Sequence, residues 1–120
     1  MDWSEILRHY PEIKGIHPAA DLFPLIEGER FQELKDSIKK DGLENPITLD
    51  SGGVLLDGRN RLRACFETNQ ELVFDCYNGS DYVEFIGRLN LQRRDLDPGQ
   101  RAVIALEFRK LLQPEARERQ

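Results

Sequence analysis

A short hairpin that runs straight into a helix leaves this chain few ways to fold. Pro46-Ile47-Thr48-Leu49-Asp50 alternates in polarity and carries β-branched residues, so it reads as a strand. Ser51-Gly52-Gly53 is a tight turn, and Val54-Leu55-Leu56 returns as a second strand. Asp57-Gly58 then opens a helix beginning Arg59-Asn60-Arg61-Leu62-Arg63-Ala64-Cys65. The expected class is α/β (α+β), a small mixed sheet flanked by helices with a helical extension at the C-terminus.

The start of that helix is also where chemistry concentrates. Exposed N–H groups and the helix dipole together favour an anion at a helix N-terminus. Arg59, Arg61 and Arg63 add forked, permanently charged donors suited to phosphate oxygens. Arg59 and Arg63 are four residues apart and can converge on one ligand. The competing reading is a solvated helix face paired with acids such as Asp57 or Glu67.

The remaining elements follow from periodicity. Trp3, Ile6, Leu7 and Tyr10 form an amphipathic stretch ended by Pro11, and Leu22 and Phe23 are expected to reach the core. Glu29 to Lys40 reads as a helix, with Phe31, Leu34 and Ile38 as its stripe and Gly42 as its stop. In the arginine helix Leu62, Cys65 and Phe66 share a face expected to pack on the sheet, and Asn69 is its C-terminal cap. Leu72 to Tyr77 reads as another strand. Asp81 starts a helix through Leu91 with the stripe Tyr82, Phe85, Ile86 and Leu89. Asp97-Pro98-Gly99-Gln100 starts the last helix, whose apolar face holds Ile104, Phe108, Leu111 and Leu112. The expected division is 1–16 as an N-terminal helical segment, 17–91 as the binding domain and 92–120 as a C-terminal helix.

Composition narrows the function classes. At 120 residues and 39% hydrophobic content, the chain suits one compact domain. No run is apolar enough to span a membrane and no secretory leader is visible, so a cytoplasmic protein without a membrane partner is expected. The net charge of -5 argues against the whole surface gripping nucleic acid. A basic cluster on an acidic body suits a small polyanion instead. His9 and His17 read as packing or surface residues, and Cys65 and Cys76 as structural thiols.

Three stretches in order support a resemblance: Gly42-Leu43-Glu44-Asn45-Pro46-Ile47, then Gly58-Arg59-Asn60-Arg61-Leu62-Arg63-Ala64, then Asn90-Leu91-Gln92-Arg93-Arg94-Asp95-Leu96. Across residues 17–112 the chain resembles the N-terminal nucleotide-binding domain of ParB partition proteins, within the wider ParB/sulfiredoxin fold. The resemblance implies a binding site for CTP or a related NTP. Pro46 and Ile47 would lie against the base. Gly58, Arg59, Asn60, Arg61 and Arg63 would hold the triphosphate. Asn90, Arg93 and Arg94 would contact phosphate, with Asn90 near any Mg2+. It further implies a nucleotide-gated homodimer clamp in chromosome partition or plasmid maintenance, with DNA read by a domain absent from this chain.

The departures bear on chemistry. The family usually carries Glu-Arg-Arg after the motif glycine, where this chain has Arg59-Asn60-Arg61, and it places Glu where Leu89 stands. Losing that carboxylate removes a hard oxygen ligand of the kind magnesium prefers. Any CTPase or NTPase activity is therefore expected to be slow or lacking. Sulfiredoxin chemistry needs a cysteine where this chain has Arg59, which excludes it. Two alternatives stay open: a free amino acid kinase on the same fold, with Glu44, Asp57 or Asp95 as its carboxylate, and a nucleotide-free protein- or DNA-interaction domain.

Overall fold

The computed structural model describes residues 3–91, 93 and 95–119, the side chains of 112–119 excepted. Its helices are α1 (Trp3–His9), α2 (Gly28–Asp41), α3 (Arg59–Thr68), α4 (Tyr82–Asn90) and α5 (Pro98–Arg119). Its strands are β1 (Gly15–Ile16), β2 (Ile47–Leu49), β3 (Val54–Asp57) and β4 (Phe74–Cys76), and a 3-10 turn spans Ala20–Leu22. The sheet order is β1-β3-β2-β4. β3 runs parallel to β1 and antiparallel to β2, while β2 and β4 are parallel, so the sheet is mixed as expected.

The β2–β3 hairpin is built by Asp50. Its Oδ1 accepts from the Gly52 amide at 2.8 Å and the Val54 amide at 2.9 Å, an Asx-type turn. At the other end of β3, Gly58 takes the left-handed conformation, with φ 115°, and turns the chain into α3. Asn69, with φ 56°, ends α3 as the expected cap, its amide reaching the Cys65 and Phe66 carbonyls. The box at the start of α5 is complete: Gln100 N–H donates to Asp97 Oδ1 at 2.7 Å, and Asp97 N–H to Gln100 Oε1 at 3.0 Å.

One core unites the chain. Ile6, Tyr10 and Ile13 from the first segment join Ile47, Leu55, Leu56 and Leu62 from the sheet and α3, together with Ile86, Ile104 and Phe108. Side chains such as Leu55, Leu56 and Leu62, removed fully from water, each contribute about 1.5–3 kcal/mol. A smaller cluster lies between α2 and α3: Phe31, Ile38, Ala64 and Cys65.

Three local expectations need correcting. β1 falls within 1–16, read from the sequence as a helical segment; a two-residue strand carries no period of its own. Cys65 packs against α2, while Leu62 and Phe66 face the main core. The buried face of α4 is Val83, Ile86 and Gly87, leaving Leu89 47% exposed. Two contacts set that rotation. Phe85 stacks on Tyr77 at 4.0 Å, and a Cβ on Gly87 would lie 3.2 Å from the Phe108 ring, so α5 crosses where the glycine leaves room. Among the described residues, no helix is long and apolar enough to cross a membrane.

Candidate functional site

The end of β3, the start of α3 and the end of α4 meet at a cavity of about 210 Å³. It is lined by Leu56, Asp57, Gly58, Arg59, Asn60 and Arg61 from one continuous stretch, with Ala20, Asn90 and Arg93 facing them. No side chain caps α3 at this end. The first backbone bond of the helix runs from Leu62 N–H to the Gly58 carbonyl at 2.8 Å, so the amides of residues 59–61 precede it. Three guanidinium groups and one carboxylate thus surround an uncapped helix start.

Each arginine is fixed differently. Arg59 is buried, donating through Nη2 to the Phe23 carbonyl and through Nη1 to Asp21 Oδ1 at 3.3 Å. Burial lowers its pKa from the ordinary value; Asp21 opposes that, and the charge of Arg93 adds to it. Two like charges therefore press on each other here, and an anion would relieve them. Arg61 donates through Nη2 to Asp57 Oδ2 at 3.0 Å, and its buried Nε has no hydrogen-bond partner among the described residues. Arg93 pairs with Asp95 and donates to the Pro24 carbonyl at 3.0 Å.

The other polar groups tie the walls together. Asn60 Oδ1 accepts from the Ile26 amide at 3.0 Å. Asn90 Nδ2 donates to the Ile86 carbonyl at 2.9 Å and lies 3.4 Å from Asp57 Oδ1. Asp57 thereby touches both Arg61 on α3 and Asn90 on α4. The sequence reads Asp57 as opening α3 and as an acid able to pair with its arginines; the fold adds Asn90 and makes it the link between two walls.

Several residues singled out in the sequence lie elsewhere. Arg63 does not line the cavity; it donates to the Ile26 carbonyl at 3.1 Å and to Glu67 at 3.3 Å, and stacks 3.7 Å over the Phe31 ring. Pro46 and Ile47 do not line it either. Ile47 is fully buried beneath Gly58, and its amide donates to the Val73 carbonyl at 2.8 Å. Arg94 lies outside the described residues. A smaller cleft of about 70 Å³ beside the cavity is lined by Leu43, Glu44 and Asn45, and Arg61 lines both.

Two further residues shape the site in ways the sequence did not indicate. Asp95, read from the sequence as a candidate kinase carboxylate, sits against Arg93. Arg101, from α5, donates to the carbonyls of Leu91 at 2.9 Å, Arg93 at 3.0 Å and Leu96 at 3.4 Å, clamping the loop that carries Arg93. The spacing Arg93-x-Asp95 was a readable signal for the first; nothing local marks Arg101.

Comparison with protein-family models and with curated sequences gives no match. Among solved structures, the chain is similar to that of a Pnob8-like ParB-N domain, with TM-score 0.68 and 19% identity. The similarity covers 90% of this chain and 46% of that one, so this chain spans less than half of the protein it resembles.

Proposed function

We propose that this chain, whose fold is that of a ParB N-terminal domain, binds a nucleoside triphosphate and serves DNA partition or plasmid maintenance as a nucleotide-gated dimer clamp. One observation carries the reading: Arg59, Arg61 and Arg93 converge on a cavity floored by the uncapped start of α3. Donors in that arrangement match oxygens carrying more than one negative charge. A volume near 210 Å³ is below the range usual for whole drug-sized ligands, about 300–1,000 Å³, so it suits the phosphates while the nucleoside extends outward. The smaller cleft shares Arg61 with the cavity and is lined by Asn45, next to Pro46 in the chain, which is the direction the nucleoside would take. CTP is the favoured nucleotide on the resemblance of the motifs.

The donor set also fits a triphosphate accompanied by Mg2+. With Asn60 Oδ1 taken by the Ile26 amide, Asp57 and Asn90 are the cavity side chains whose oxygens would meet such an ion, which would neutralise phosphate charge. Phosphoryl transfer to a free amino acid is less well supported. Asp57 already accepts from Arg61, and Arg93 holds the Asp95 carboxyl below its ordinary pKa, which makes each a poor general base. The nucleotide-free reading draws on the same pairing: Asp21, Asp57 and Asp95 give every cavity arginine an internal partner.

Calorimetric titration of the protein with CTP, ATP and GTP, with and without magnesium, separates these readings. Saturable binding that Arg61→Ala weakens at least tenfold supports the nucleotide site. Indifference to every nucleotide leaves the interaction domain, and phosphate transfer to an amino acid establishes the kinase.

A further inference from the structure

Arg93 faces the cavity with its best donors already engaged. Its Nε donates to Asp95 Oδ1 at 2.9 Å and its Nη2 to Asp95 Oδ2 at 2.5 Å, a side-on bidentate pair. Nη2 also donates to the Pro24 carbonyl at 3.0 Å. A guanidinium has five N–H groups, so the pair left over sits on Nη1. Arginine grips a phosphate with two parallel bonds either through Nε and Nη2 or through Nη1 and Nη2. Asp95 occupies the first grip and the Pro24 carbonyl the Nη2 hydrogen of the second, so while Asp95 holds, an anion is left with Nη1 alone; release of Asp95 restores the Nε and Nη2 grip.

Asp95 differs from the two other carboxylates that pair with cavity arginines. Its side chain is 17% exposed, against 24% for Asp57 and 65% for Asp21. Solvent therefore weakens this pair least. Asp95 does not itself line the cavity, so whatever it does to a ligand passes through Arg93.

We propose that Asp95 is a positioning residue that sets the anion affinity and charge selectivity of the cavity by competing with the ligand for the Arg93 fork. This rests on the reading of the cavity as a phosphate site. Releasing the fork requires an anion stronger than a carboxylate, so the competition selects polyphosphates and rejects singly charged esters. Pro24 keeps Arg93 at the wall in either state, which makes exchange a local event.

The test is titration of wild type, Asp95→Asn, Asp95→Glu and Arg93→Ala with inorganic tripolyphosphate and with dimethyl phosphate. Asp95→Asn is expected to bind tripolyphosphate about tenfold tighter and to gain measurable dimethyl phosphate binding. Asp95→Glu is expected to stay near wild type, and Arg93→Ala to weaken. A merely structural Asp95 would give the opposite sign, because losing its support would misplace Arg93. Unchanged or weaker binding by Asp95→Asn, with wild type binding normally and Arg93→Ala impaired, overturns the competition alone. No binding by any of the four proteins overturns the phosphate site and the competition together. Should Asp95→Asn fail to fold, the carboxyl carbon resonance of Asp95 in wild type decides. Movement toward an unpaired carboxylate on saturation with tripolyphosphate supports release, and a fixed resonance refutes it.

Discussion

Gly58 sits so close over Ile47 that a Cβ built on it would lie 2.7 Å from Ile47 Cδ1. The same Cβ would come within 3.1 Å of Arg61 Nη2, and the backbone there has φ 115°. Gly58→Ala is therefore expected to strain the turn and push both neighbours. The backbone cost alone is about 1–3 kcal/mol. Denaturant unfolding should show that loss, together with weakened tripolyphosphate binding because Arg61 is displaced.

Arg63 provides the contrasting case. It stacks on Phe31 and bonds Ile26 and Glu67 away from the cavity. Arg63→Ala is expected to lower stability by about 1–2 kcal/mol through lost packing and a lost bond to a carbonyl. Nucleotide affinity should stay within twofold of wild type. A large loss of affinity with unchanged stability would place Arg63 in the site after all.

Arg101 donates to the carbonyls of Leu91, Arg93 and Leu96, between α4 and α5. Arg101→Ala is expected to cost about 1–3 kcal/mol. Amide exchange should quicken in 91–97 ahead of the rest of the chain, since the loop has lost its clamp. Unchanged exchange there would mean the loop is held by other contacts.

The Arg93–Asp95 pair gives a pH dependence with a definite sign. The hydrogen bond from Arg93 holds the Asp95 carboxyl below its ordinary value against the opposing effect of burial. A carboxyl whose pKa is depressed by folding adds stability above its unfolded pKa of about 3.9 and loses it as pH falls through the folded value. The stability gap between wild type and Asp95→Asn should be constant from neutral pH down to about pH 5 and shrink below about pH 4. A gap that widens on acidification would contradict the pairing.

Local pattern made much of this legible. The Asp50 turn, the Gly58 switch into α3, the Asn69 cap and the Asp97–Gln100 box are each decided by residues within four positions of one another. Longer-range geometry was not. Arg59 and Arg63 are one helical turn apart, yet four residues advance the helix by more than a full turn. That offset takes Arg63 to Phe31 on α2 and keeps Arg59 against Phe23. Asp57 and Arg61 could be paired from spacing, but the reach of Asp57 to Asn90 depends on how α4 is docked. Leu89 looked like core because its spacing fits Tyr82 and Phe85. The crossing at Gly87, which rotates it outward, is a tertiary fact.

The central claim is that phosphate oxygens dock on the first amides of α3 between Arg61 and Arg93. The direct test is a backbone amide NMR titration of the wild-type chain with CTP and magnesium. Saturating shifts concentrated at residues 57–61 and 90–93 are the predicted result. Shifts confined to surfaces away from the cavity, or no shifts at all, would contradict it.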